Sequence, residues 1–238
     1  MKIIKLICLA TLLSMPVIVR AGDSVTKIDK VPYTITASGN YEVTKNLTVA
    51  SGKDGIDVQA PAGSYVVINL GGFSITSSSA GGNDFGVNCE TISNTVVYNG
   101  TISGFGTGVF FGHGGGNAHD LRLLANSSGI VVGGNDIVIQ NCSIIGTGAA
   151  GFAYGISIIG NDNVQVTGCH ISQYVFGILS MGSSISNDPG NTFISNYIAS
   201  CTDGLNLFPN DYYQGNLTSN CGTPFTGGNA IGTENGGN

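Results

Sequence analysis

A glycine followed by an aliphatic residue recurs along this 238-residue chain and strongly constrains how the chain can fold. The pair occurs at intervals of 21 to 31 residues, at Gly55-Ile56, Gly86-Val87, Gly108-Val109, Gly129-Ile130, Gly155-Ile156, Gly177-Ile178 and Gly204-Leu205. Units of this size cannot bury an apolar face alone, whereas stacked neighbours share a continuous core. The sequence therefore predicts a stack of repeats.

A second repeated pattern has an aliphatic or similar residue, two variable positions, a ladder residue, one variable position, and then Ile or Leu. Its copies begin at Leu70, Val97, Ala118, Ile139, Val166 and Phe193, and their ladder residues are Phe73, Gly100, Leu121, Cys142, Cys169 and Asn196. Short runs of alternating apolar residues, bounded by Gly, Asn, Asp and Ser, predict strands. We expect an all-β parallel solenoid of about seven coils, roughly 4.8 Å apart.

Asn94, Asp136 and Asn163 each stand six residues before a ladder residue and open a strand. Asn and Asp tolerate unusual backbone dihedrals and bond to their own backbone. These three residues are therefore predicted to form corners.

The N-terminus has the pattern of a secretory signal, with Lys2 and Lys5 before an apolar segment and a cleavage site after Ala21. We predict residues 1–21 as the signal peptide and 22–238 as one β-helix domain with capping ends, secreted or periplasmic. Cleavage would lower the formal charge from −6 to −9, because it removes three basic residues. This charge disfavours nucleic acid as a partner. No later segment has the roughly 18 apolar residues that a membrane span requires.

Residues 33 to 230 resemble the pectate-lyase-like superfamily of right-handed parallel β-helix proteins, especially its bacterial exported members with β-helix repeats. The stretches that carry the resemblance are Gly55–Val58, Val67–Ile75, Asn99–Val109 and Asn216–Gly228. The resemblance implies a right-handed β-helix. It implies no single activity, because the superfamily includes lyases, hydrolases, epimerases and adhesins. Paired carboxylates at neighbouring repeat positions, which calcium-dependent lyases use, do not occur here.

His119, Asp120 and Arg122 form a close grouping of a base, an acid and a cation. Strand alternation predicts that Asp120 and Arg122 share one face and that His119 and Arg122 lie on opposite faces. On a solvent face, Asp120 and Arg122 would bind or activate a sugar. The alternative is a surface ion pair of little energetic value.

Aromatic residues supply the other candidate binding positions. Tyr174 follows His170 in the next turn, and direct contact between His170 and Cys169 is not expected, because adjacent strand residues point to opposite faces. Tyr212 and Tyr213 would form an exposed platform for sugars, or would close the end of the solenoid.

Five cysteines follow the predicted leader, so at least one is unpaired within a monomer. Cys142 and Cys169 occupy consecutive ladder positions and should stack in the core, either as thiols or as a strained disulfide. Cys201 and Cys221 are the better candidates for a bridge, joining the last coil to the tail.

No metal site and no cofactor are predicted. The Gly-Asn-Asp triplets at 82–84, 134–136 and 160–162 are interpreted as turns, because calcium needs six to eight oxygen ligands. We expect a non-catalytic module that binds polysaccharide or cell-surface glycan, or that has a structural or surface role. The alternative is a polysaccharide-active enzyme with a site built across several coils. An adhesin or filament subunit is a third class, and the sequence does not set the oligomeric state.

Overall fold

The structure is a computed structural model that describes residues 24–78, 82–148, 153–160, 163–182, 190–232 and 235–237. The predicted signal peptide lies outside these ranges. Within them the regular elements are all strands, and no helix has the length and hydrophobicity that a bilayer crossing requires.

The strands form two sheets, a short sheet of nine strands and a long sheet of 17. In chain order they are β1 (Val25–Ile28), β2 (Tyr33–Ile35), β3 (Gly39–Val43), β4 (Leu47–Val49), β5 (Ile56–Val58), β6 (Val66–Asn69), β7 (Ser74–Ser77), β8 (Phe85–Cys89), β9 (Thr95–Ser103), β10 (Thr107–Phe111), β11 (Asn117–Leu124), β12 (Ser128–Val132), β13 (Val138–Gln140), β14 (Ser143–Ile145), β15 (Tyr154–Ile159), β16 (Gln165–Thr167), β17 (His170–Ser172), β18 (Phe176–Met181), β19 (Thr192–Ile194), β20 (Tyr197–Ala199), β21 (Asp203–Asn206), β22 (Tyr212–Gln214), β23 (Leu217–Ser219), β24 (Thr223–Thr226), β25 (Asn229–Ala230) and β26 (Gly236–Gly237). The short sheet contains β2, β5, β8, β10, β12, β15, β18, β21 and β24. Each of its strands is followed along the chain by one or two strands of the long sheet.

The glycine-aliphatic repeat forms the short sheet. Its aliphatic residues are parallel partners on successive strands and form the series Ile56, Val87, Val109, Ile130, Ile156, Ile178 and Leu205. All seven are completely buried. The sheet also has one strand before the predicted series, β2, and one after it, β24.

The second repeat lies in the long sheet. The last residues of its six copies are partners on successive strands, in the series Ile75, Ile102, Leu123, Ile144, Ile171 and Ile198. All six are fully buried. Burying a side chain of this size stabilises the fold by about 1.5–3 kcal/mol relative to leaving it exposed. These residues therefore form much of the core.

The glycines of the repeat let the two sheets approach each other. A Cβ atom added at Gly86 would lie 2.2 Å from Cγ2 of Ile102, and one added at Gly177 would lie 2.4 Å from Cγ2 of Ile198. Real Cβ atoms do not approach other atoms so closely, so a larger residue would push the sheets apart. The two sequence repeats are thus two sides of one interface.

The first copy of the second repeat departs from the predicted alignment. Ile68, and not Leu70, is the partner of Val97. Gly71 and Gly72 both have positive φ, and the Phe73 N–H donates to the Leu70 carbonyl across this turn. The turn adds two residues before the alignment resumes at Ser74, which pairs with Thr101.

The predicted corner residues have left-handed backbone conformations. Asn94, Asp136 and Asn163 have φ of 60°, 58° and 57°. The Asn163 amide also donates to Oδ1 of Asp136 over 2.6 Å, so two successive corners are joined through their side chains. The interpretation of these residues as turn formers is confirmed.

Buried asparagines continue the ladder beyond Cys169. Oδ1 of Asn196 accepts the Cys169 N–H over 2.9 Å, and Oδ1 of Asn216 accepts the Asn196 N–H over 3.0 Å. Asn235 repeats the contact with the Asn216 N–H over 3.2 Å. Each asparagine side chain thus satisfies a backbone donor of the preceding repeat, as a buried donor requires.

Candidate functional site

The outward face of the long sheet carries polar and aromatic side chains in two rows that cross successive strands. The first row is Asn69, Tyr98, His119, Gln140 and Thr167. The second row is Thr101, Arg122, Ser143, His170 and Tyr197. With strands about 4.8 Å apart, five positions extend about 19 Å. We call the surface formed by both rows the polar face.

Tyr98 and His119 form the centre of the first row. Their rings are stacked, with centroids 4.9 Å apart and an interplanar angle of 19°. Nδ1 of His119 lies 2.8 Å from Oδ2 of Asp120, which fixes the orientation of the imidazole. A cavity of about 180 Å³ adjoins Tyr98 and is also lined by Asn40, Glu42 and Asn69. The centre therefore combines ring surface with hydrogen-bonding groups, which include the carboxylates of Asp120 and Glu42 and one imidazole.

The predicted placement of His119 and Arg122 on opposite faces is wrong. Both side chains point outward, while Ala118, Leu121 and Leu123 point into the core. Asp120 explains the error, because its φ of 54° bends the strand and interrupts the alternation of side chains. Asp120 and Arg122 both reach the outer surface, as predicted, and the Asp120 carboxylate contacts the imidazole of His119.

His170 and Tyr197 form a second ring pair on the same face. Their centroids are 5.0 Å apart, with an interplanar angle of 49°. Cys169 is buried while His170 is exposed, so the two do point to opposite faces. Tyr98 and Tyr197 were not among the predicted site residues. A signal for them exists in the sequence, because Tyr98 precedes His119 by 21 residues and His170 precedes Tyr197 by 27, which are the local ladder intervals.

Tyr174 is not on the polar face. It is 4% exposed, and its hydroxyl donates to the carbonyl of Asn126 over 3.3 Å. Burial raises the pKa of this hydroxyl above its ordinary value. An edge of the residue lines a cavity of about 390 Å³ beside Gln173 and Asn220. The side chain is chiefly part of the core.

Tyr212 and Tyr213 have different environments. Tyr213 is half-buried against the core and stacks on Phe225, with centroids 5.3 Å apart. This contact ties the long sheet to the last strand of the short sheet. Tyr212 is 42% exposed on the outer surface of β22. Neither lies in the rows that form the polar face.

The five cysteines of the described ranges are buried free thiols. Cys142 and Cys169 do stack on neighbouring repeats, where the His170 N–H donates to the Cys142 carbonyl. A hydrogen bond with Cys169, together with burial, raises the pKa of the Cys142 thiol. Burial likewise raises the pKa of Cys201 to about 11.

Cys201 and Cys221 also lie on neighbouring repeats, because the Gly222 N–H donates to the Cys201 carbonyl. Both are thiols in this structure, so the bridge between them stays a prediction.

The Gly-Asn-Asp triplets have structural contacts where they are described. Asp136 lies at a corner, and Asp84 is buried and accepts the Gly106 N–H over 2.8 Å. The third triplet falls partly outside the described residues. Among the described residues, no group of three or more His, Cys, Asp and Glu side chains is arranged to hold a metal ion.

The chain matches no protein-family model and no curated protein sequence.

Proposed function

We propose that the chain is a right-handed parallel β-helix of the pectate-lyase-like kind, exported by its N-terminal signal, and that it binds a neutral glycan without turning it over. The parallel pairing of strands one repeat apart supports the solenoid. In this solenoid, each strand of the short sheet belongs to one coil.

The Tyr98–His119 stack is the observation that carries the glycan proposal. Aromatic rings offer apolar surface to the C–H face of a sugar, and convergent polar groups orient a bound ligand. Asn69, Gln140 and Thr167 continue the same row and supply uncharged donors and acceptors for hydroxyl groups. A neutral ligand is favoured because the chain has a formal charge of −6, which cleavage of the predicted signal would lower to −9.

An enzyme acting on polysaccharide is the second candidate. The observation that favours it is the 2.8 Å contact between His119 and Asp120 on the surface that also presents Arg122. An imidazole oriented by a carboxylate is a common general base or acid. Arg122 would then bind a hydroxyl or a developing negative charge on the sugar.

Incubation with a panel of neutral and acidic polysaccharides, following both binding and product formation, tests the proposal. We expect a neutral glycan to bind and Tyr98→Ala to weaken that binding at least tenfold. Tyr65→Ala is the matched control, because Tyr65 is 55% exposed and lies outside the polar face. Unchanged binding by Tyr98→Ala contradicts the proposed site. If new reducing ends or unsaturated products form, and His119→Ala abolishes them, the chain is an enzyme and not a binding module.

The proposed export of the protein is tested by a separate measurement. N-terminal sequencing of protein recovered from the periplasm or medium should begin at Gly22 if the signal is cleaved after Ala21. An intact Met1 in protein retained by the cell would contradict export.

A further inference from the structure

The cavity beside Tyr98 is a trough between two rows of outward side chains on strands β1, β3 and β6 of the long sheet. Its sides are formed by Val25, Asn40 and Val67 in one row and by Glu42 and Asn69 in the other. The volume of the trough is about 180 Å³. A closed cavity of about 150 Å³ holds one molecule of benzene. The trough therefore has room for one six-membered sugar ring.

The ring of Tyr98 closes one end of the trough. His119 stacks on the face of this ring that is directed toward β11, with centroids 4.9 Å apart. The trough lies against the opposite face, because its other lining residues are on β1, β3 and β6. Val96 and Asn117 continue the row of Val67 on β9 and β11, and neither lines the trough. A sugar chain that follows the trough therefore ends at Tyr98.

The polar groups of the trough favour a neutral sugar with free hydroxyl groups. Glu42 presents a carboxylate, which accepts hydrogen bonds from hydroxyl groups and repels an acidic sugar. Its ion pair with Lys27 restricts the movement of this carboxylate. Oδ1 of Asn69 accepts the N–H of Gly71 over 2.9 Å and the side-chain amide of Asn99 over 3.0 Å. These two bonds orient the Asn69 side chain and leave its NH2 group to donate to a ligand.

We propose that the trough binds one neutral hexose at the end of a glycan chain. This inference rests on the proposed glycan binding and names the part of the glycan that is recognised. The C–H face of the sugar stacks on Tyr98, and its hydroxyl groups bond to Glu42 and Asn69. The rest of the chain leaves toward solvent, since Asn40, Glu42 and Asn69 are only half-buried. An internal sugar has a neighbour at each end, and one of these neighbours would collide with the Tyr98 ring.

The dependence of affinity on glycan length tests the proposal. Isothermal titration calorimetry of the wild-type chain would compare methyl glycosides of glucose, galactose and mannose with linear oligosaccharides of the same sugars. We expect at least one methyl glycoside to bind. Longer oligosaccharides of that sugar should have dissociation constants within about threefold of the value for the single unit, because only the terminal sugar is held.

Val67→Phe fills the trough from an outward position and should weaken the binding about tenfold or more. Val138→Phe is the matched control, because Val138 lies in the same row and is also half-buried, but does not line the trough. Glu42→Gln keeps the shape of the side chain and should also weaken the binding, by about threefold. Circular dichroism of each variant, compared with wild type, verifies that the outward substitutions leave the fold intact.

Two results would overturn this inference and leave glycan binding in place. One is an affinity that rises about tenfold or more from the single sugar to the longer oligosaccharides, which assigns recognition to internal units. The other is a glycan that Val67→Phe binds as tightly as the wild type does. If no sugar of any length binds the wild-type chain, the proposed function itself is wrong, and this inference is wrong with it.

Discussion

Replacing Asn216 by alanine tests whether the buried asparagine ladder stabilises the fold. Asn216 is completely buried. Its Oδ1 accepts the backbone and side-chain N–H groups of Asn196, over 3.0 and 2.9 Å. Its Nδ2 donates to the carbonyls of Phe193 and Gln214, over 2.9 and 3.2 Å. Alanine removes all four hydrogen bonds.

The cost follows from the groups that lose a partner. The side chain of Asn196 keeps its bond to the Val166 carbonyl, and the Gln214 carbonyl keeps the Ser195 N–H. The Asn196 N–H loses its acceptor and the Phe193 carbonyl loses a donor. A buried polar group without a partner costs about 1–3 kcal/mol. We therefore expect Asn216→Ala to lower the free energy of unfolding by about 3 kcal/mol.

Urea denaturation monitored by circular dichroism measures the change, with an unaltered m-value showing that the midpoint reports stability. Asn206→Ala is the control, because Asn206 is a half-buried residue of β21 on the outward side. Surface substitutions of that kind usually change stability by no more than about 0.5 kcal/mol. A loss below about 1 kcal/mol for Asn216→Ala, similar to that of the control, would refute the reasoning.

Three further measurements follow from the structure. Ile144→Ala should lower the free energy of unfolding by about 2–5 kcal/mol, because Ile144 is fully buried. A decrease as small as that caused by substituting an exposed residue would be inconsistent with its place in the core. Burial raises the pKa of Asp54, so the stability it contributes is present below that pKa and lost as pH rises through it. Asp54→Asn keeps an acceptor for the Phe85 N–H and should reduce this loss of stability, measured by urea titrations from about pH 4 to 7. If the stability of the variant depends on pH as the wild type does, Asp54 is not the group responsible. Mass spectrometry of exported protein, alkylated under denaturing conditions without reductant, should find Cys201 and Cys221 joined, whereas alkylation of both excludes the bridge.

The pairing of the strands could be predicted from the sequence because the residues of each repeat contact the equivalent residues of the neighbouring repeats. Gly129 is required where the short sheet meets Ile144, the last residue of one copy of the second repeat, since an added Cβ atom would lie 2.4 Å from Cγ2 of Ile144. Both residues therefore recur at the same intervals. The slip at Leu70 could not be predicted, because a two-glycine turn changes the count of residues without changing the apolar pattern.

The candidate site was less predictable than the fold. Asp120 looked like an ordinary strand residue, and only its left-handed φ shows that His119 and Arg122 share the outer surface. Asn216 has the residue type of a turn former, yet it lies in the core, because its side chain replaces a backbone partner. In both cases the outcome depends on a local bend or a cross-strand contact that the spacing of apolar residues does not record.

The constant register of neighbouring strands has a consequence for how such a gene can change length. Thr101, Arg122 and Ser143 are successive partners at intervals of 21 residues. Deleting residues 104–124 would therefore bring Ser143 beside Thr101 with the core ladder still aligned. Because each repeat contacts chiefly its neighbours, a duplication or loss of such a unit conserves the fold and alters only the length of the exposed surface.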